Sequence, residues 1–130
     1  MGGGRGGGYG SHASAGRLRD ALDRLTRRFP TATSGYFGQP SPTGDARIVV
    51  STNPTDSSRT FFNLASSGAD RVTVSPGGGT AIAQYGKDSF VTWRITSHSD
   101  GSPAVDFNLS IQHLGIRPVQ RIHFMMEAYT

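Results

Sequence analysis

Residues 104–112 read "AVDFNLSIQ", and this stretch decides the fold class. Val105, Phe107, Leu109 and Ile111 alternate with Asp106, Asn108, Ser110 and Gln112. Successive side chains of a strand point to opposite faces, so this pattern is a strand with one face on a core and the other in water. A sheet open on one side is typically antiparallel and covered by helices on the other.

The flanking segments extend the same reading. In "FVTWRIT" (90–96) Val91, Trp93 and Ile95 take the core face, and Thr92, Arg94 and Thr96 face outward. In "VQRIHFMM" (119–126) Ile122, Phe124 and Met126 face the core, leaving Arg121, His123 and Met125 on the open side. Upstream, "RVTVS" (71–75) and "TAIAQY" (80–85) are further short strands, separated by the turns "PGGG" and "GKDS". Short strands joined by Gly-rich turns form an antiparallel meander with "AVDFNLSIQ" at its centre.

Two helices precede it. "RLRDALDRLTRRF" (17–29) carries Leu18, Ala21, Leu22, Leu25 and Phe29 at helical spacing, and Pro30 ends it. After a loop, "TATSGYFGQPSPTG", and a short apolar strand, "ARIVVS", the residues around "NPTDSSRTFFNLASSG" form the second helix. Pro54 suits its first turn, Thr52 or Asn53 its N-cap, and Gly68 its end; Phe61, Phe62, Leu64 and Ala65 supply the buried side. The expected class is α+β, with two N-terminal helices on a four- or five-stranded antiparallel meander sheet that has one open polar face. At 130 residues the chain is one domain. Residues 1–16, "MGGGRGGGYGSHASAG", are expected as a disordered Gly-rich leader or linker, and residues 17–130 as the folded unit.

Composition narrows the chemistry. With no cysteine, disulfides, thiol nucleophiles and Cys-ligated zinc are excluded. No run approaches the ~20 apolar residues of a membrane span, and no signal peptide is visible. Residues 1–30 hold six Arg against two Asp, so the net charge of +4 resides there; the remainder is balanced. A basic flank suits an anionic partner such as nucleic acid, and equally a solvated helix.

The strand alternation puts Thr92, Arg94, Thr96, Asp106, Asn108, Arg121 and His123 on one face. Those groups can perform phosphodiester chemistry: imidazole transfers a proton near neutral pH, and guanidinium holds phosphate by a fork and stabilises developing charge. The competing reading is a solvent-facing sheet with cross-strand ion pairs between Asp106 and Arg94 or Arg121. Lys87, the only lysine, stands at a turn tip where it can meet a backbone phosphate.

Other motifs fail. "SHSD" (97–100) places its members too close in sequence for a nucleophile, base and orienter. Gly-x-Ser-x-Gly is absent, and "SPGGGT" lacks a P-loop lysine. His98, His113 and His123 have no metal-motif spacing, so neither metal nor cofactor is expected. Glu127 is the only glutamate, which removes a paired-glutamate glycosidase.

Residues 46–126 resemble the C-terminal toxin domains of bacterial polymorphic toxins of the Rhs, contact-dependent inhibition and LXG types, most specifically in "SDGSPAVDFN" and "RIHF". The resemblance implies a metal-independent ribonuclease of the barnase, EndoU, colicin and RelE-like group, with its site on an exposed sheet face. It implies RNA as substrate, a cognate immunity protein as partner, a larger delivery protein N-terminal to this domain, and a secreted effector acting in the cytoplasm of a target cell. Carried over by position, His123 and Arg94 come first as catalytic residues, with Ser97, Asp106 and His98 beside them. Arg121, Thr96, Ser99, Asn108 and Lys87 would bind substrate. His98 stands where Ser or Thr is expected in relatives, and no counterpart of a barnase-like glutamate base is present. Two other classes stay open: a non-catalytic nucleic-acid- or protein-binding sheet, and a toxin of another chemistry such as ADP-ribosyl transfer.

Overall fold

The structure, a computed structural model, describes residues 7–126 except 43, 99 and 114, and for residues 7–12 the backbone alone. Two helices pack on one face of a seven-stranded mixed sheet. The elements are α1 (Gly7–Arg28), β1 (Gln39–Pro40), β2 (Arg47–Val50), α2 (Pro54–Ala65), β3 (Arg71–Val74), β4 (Thr80–Tyr85), β5 (Ser89–Arg94), β6 (Ala104–Asn108) and β7 (Val119–Met125).

The α+β class is the expected one, but the sheet is larger than a four- or five-stranded meander. Strands β3 to β7 do form an antiparallel meander with β6 between β5 and β7. The sheet then continues past β7: β2 pairs with it in parallel, and β1 pairs antiparallel with β2, giving the order β1-β2-β7-β6-β5-β4-β3. The helices are correspondingly not consecutive, because β1 and β2 lie between them. A parallel partner is reached only through a long connection, so nothing local in "RIVV" announces where it docks.

The core lies between the helices and the sheet. From α1 come Leu18, Ala21, Leu22 and Leu25, all essentially inaccessible. Helix α2 starts as its residues dictate, with the Asn53 side chain accepting the Asp56 N–H at 3.2 Å and Pro54 in the first turn. Phe61 of α2 is the hub, meeting Phe29, Phe37, Phe107 and Phe124 with ring centroids 4.9–5.8 Å apart. Phe37 belongs to the segment read as plain loop, yet it is buried and hydrogen-bonded through its N–H to Gln120 Oε1. Trp93 lays its ring under α2 and donates Nε1–H to Ser58 Oγ at 2.8 Å, a polar contact inside the core.

Two expectations need correction at the chain's ends. Met126 lies past the end of β7 and is 65% exposed instead of facing the core. Helix α1 begins at Gly7, so residues 7–16 of the stretch expected as a disordered leader are helical, and Ser14 is buried, donating to Asp70 Oδ2 at 2.6 Å. No break in helix α1 separates residues 16 and 17.

Among the described residues, no helix is long and apolar enough to cross a membrane.

Candidate active site

Register sets the site. Across the open face, Arg94, Ala104 and His123 are aligned partners on β5, β6 and β7, and Thr92, Asp106 and Arg121 form the next rank. Cross-strand partners on one face have neighbouring side chains. Ala104 is the small residue between the two large polar ones. A cavity of about 270 Å3 opens there, lined by Arg94, Ser97, His98, Asp106, Arg121 and His123 together with Ala104.

Asp106 is held by both arginines, from Arg94 Nη1 at 2.8 Å and Arg121 Nε at 3.0 Å. One carboxylate thus fixes two guanidinium groups and leaves an excess of positive charge on the cavity wall. Arg121 is the more exposed of the pair, with 64% of its side chain accessible against 36% for Arg94.

His123 departs from the sequence reading. It sits on the open face by parity but is only 3% exposed, because the β5–β6 connection folds back over it. Its rank neighbours are Ala104 on one side and Ile48 of β2 on the other, both buried and apolar. The connection is locked by the Ser97 N–H to Ser102 C=O bond at 2.7 Å and the Phe124 N–H to Pro103 C=O bond at 2.9 Å. Gly101 takes a left-handed φ of 76° in this turn, a conformation glycine adopts without strain.

The turn delivers Asp100 and Ser102 to the imidazole. Asp100 Oδ2 lies 3.1 Å and Ser102 Oγ 3.0 Å from His123 Nδ1. Ser102 directs its own hydroxyl proton to Asp100 Oδ1 at 2.6 Å, and Ser97 Oγ donates to the same oxygen at 2.8 Å. Burial works to raise the Asp100 carboxyl, but the Ser102 hydroxyl and N–H, the Ser97 hydroxyl and the adjacent His123 outweigh it and hold the group well below the usual carboxylate range. An ionised Asp100 only accepts, and the Ser102 proton is already committed. The network therefore assigns a hydrogen to Nδ1 and, in the neutral ring, the lone pair to Nε2. Nε2 is buried and has no hydrogen-bond partner among the described residues. Buried polar atoms are nearly always satisfied, so the unclaimed nitrogen of this cavity-lining residue sets His123 apart from the other polar side chains of the face.

Of the residues expected from sequence, the structure brings together Arg94, Ser97, His98, Asp106, Arg121 and His123. Ser97 acts indirectly, as a donor to Asp100. Thr96 is exposed in the connection and outside the cavity lining. Asn108 shares the face but stands at the far end of β6, and Lys87 lies in the β4–β5 turn, at the opposite end of β5 from Arg94. Ser99 lies outside the described residues. Asp100 and Ser102 are the site residues that the sequence reading missed. Their local signal is the Asp-Gly turn, in which an Asp side chain bonds to backbone two residues on, as Asp100 does to the Ser102 N–H at 3.0 Å. Nothing local points from that turn to β7.

Among the described residues, no group of three or more His, Asp or Glu is arranged to hold a metal ion. No protein-family model matches the chain, and neither does any curated protein or solved structure.

Proposed function

We propose that this chain is a metal-independent ribonuclease effector domain acting on cytoplasmic RNA. The observation that carries the reading is the buried His123, its Nδ1 held by Asp100 and Ser102 and its Nε2 unclaimed, beside two arginines that share one carboxylate. An oriented imidazole beside a cavity lined by two arginines combines a proton-transfer group with groups that can hold a phosphate, which is what transphosphorylation of RNA uses.

In this chemistry the substrate phosphate lies against Arg94 and Arg121. Once the β5–β6 turn that covers it moves aside, His123 Nε2 removes the proton from the ribose 2′-hydroxyl, and the 2′-oxygen forms a bond to phosphorus. Arg94 stabilises the pentacoordinate phosphate as its negative charge grows. The bond from phosphorus to the 5′-oxygen breaks, and His98, the second imidazole lining the cavity, protonates the leaving oxygen. The products are a 2′,3′-cyclic phosphate and a free 5′-hydroxyl, and the base missing from the sequence comparison with barnase-like enzymes is His123 itself. On this reading a larger protein delivers the domain to a target cell, and a cognate immunity protein covers the site in the producing cell.

The test is incubation of the purified, folded protein with total RNA in EDTA, followed by end-group analysis. Fragments ending in 2′,3′-cyclic phosphate, lost in His123→Ala, support the reading. Intact RNA overturns it.

A further inference from the structure

The open face continues beyond the cavity. Two residues further along the strands from the Asp106 rank, Gln84, Phe90, Asn108 and Val119 are aligned partners on β4, β5, β6 and β7, with Arg71 of β3 paired to Gln84. Phe90 is half-buried, Asn108 is exposed and Val119 is 64% exposed. An aromatic ring and a branched apolar side chain thus flank an accessible amide on a polar face. The distance from Ala104 to Asn108 is four strand residues, about 13 Å, so this rank lies outside the cavity but on the same surface.

Charge limits what can cover it. Among the described strand residues facing this side, Arg71, Arg94 and Arg121 stand against Asp106 alone, which favours an anionic partner. A duplex keeps its bases stacked inside and offers an aromatic ring nothing to stack on. A single strand offers unstacked bases and one phosphate per nucleotide.

We propose that Phe90, Asn108 and Val119 form a base-binding subsite for single-stranded RNA. One base lies on the Phe90 ring, its other edge against Val119, with the Asn108 amide hydrogen-bonded to a base edge. The backbone passes Arg121 and Arg94 to reach the cavity. This substrate class rests on the ribonuclease reading for the role of the cavity, but the subsite binds whether or not the strand is cut.

The experiment measures binding of a fluorescein-labelled single-stranded RNA octamer to the His123→Ala protein by anisotropy, with a blunt RNA duplex of equal length as competitor. Added Phe90→Ala is expected to weaken binding on the order of tenfold, and Phe90→Tyr to keep the affinity. Asn108→Ala, which leaves the ring in place, weakens binding less, and Arg19→Ala on the exposed side of α1 leaves it unchanged. The duplex competes poorly. Octamer affinity equal in Phe90→Ala and its parent, with both folded by circular dichroism, overturns the subsite even where the wild-type protein cleaves RNA. The expected Phe90 dependence in a protein that cleaves nothing sustains the subsite and overturns the ribonuclease reading alone. Absence of any binding overturns the subsite and hands this face to a protein partner.

Discussion

Asp100 reaches from the β5–β6 turn to within 3.1 Å of His123 Nδ1, joining residues that belong to different elements and have no shared local pattern. The contact decides which ring nitrogen carries hydrogen and which is left without a partner among the described residues. If it positions the base, Asp100→Asn lowers kcat at least tenfold with KM close to wild type, because the amide no longer enforces the tautomer. His123→Ala lowers kcat/KM by about 10²- to 10⁴-fold. Steady-state cleavage of a fluorogenic RNA oligonucleotide checks both, and an Asp100→Asn enzyme with unchanged kcat would remove the positioning role.

The two arginines should separate by their surroundings. Arg94→Ala is expected to cost on the order of 10²-fold in kcat/KM, as for loss of one transition-state donor. Arg121→Ala costs less, because its more exposed guanidinium is better solvated and more screened. Arg94→Lys keeps the charge but loses the fork, so it restores only part of the activity. Equal losses in the two alanine variants would contradict the assignment of Arg94 to the reacting phosphate.

Acid sensitivity follows from Asp100. Its carboxyl is depressed below its ordinary value near 3.8 in the folded protein, so the stabilisation it supplies is complete above that value and is lost as pH falls through the depressed one. Asp70, held by Ser14, Arg17 and the Gly86 N–H against the effect of burial, contributes in the same direction. Thermal unfolding followed from pH 5 to pH 2 should show a falling midpoint, with a shallower fall in Asp100→Asn. An unchanged slope would show that the turn network does not persist in solution.

The core polar contact gives a stability test independent of activity. Ser58→Ala removes the acceptor for the buried Trp93 Nε1–H and should cost about 1–3 kcal/mol. Asn53→Ala, which deletes the α2 cap at an exposed helix end, should cost about 1 kcal/mol. Urea denaturation distinguishes them; a neutral Ser58→Ala would mean that the indole finds another partner.

Much of the architecture was legible in single segments. The alternation of 104–112 placed Val105, Phe107 and Leu109 inside and Asp106 and Asn108 outside, and located β6 between the Arg94 and His123 strands, although β6 itself ends at Asn108 and does not run on to Gln112. The helical stripe of α1 and the cap and aromatic side of α2 were equally local. Periodicity works in these places because a residue's face is set by its own backbone geometry. Hence the Arg94–Asp106–Arg121 group could be named in advance: it needs only parity and a meander.

Tertiary structure decided the rest. Whether β2 would pair with β7, and in which direction, depended on a docking event across α2 and the whole meander. Parity put His123 on the open face, but its burial came from the turn over it and from Ile48 beside it, contacts made by residues far away in sequence. The sequence by itself therefore determined which side chains share a face, because that is a short-range property of extended chain. Only the folded chain decided which of them is shielded from water, which partner orients it and which nitrogen it leaves free, because desolvation and hydrogen bonding are properties of what surrounds a residue.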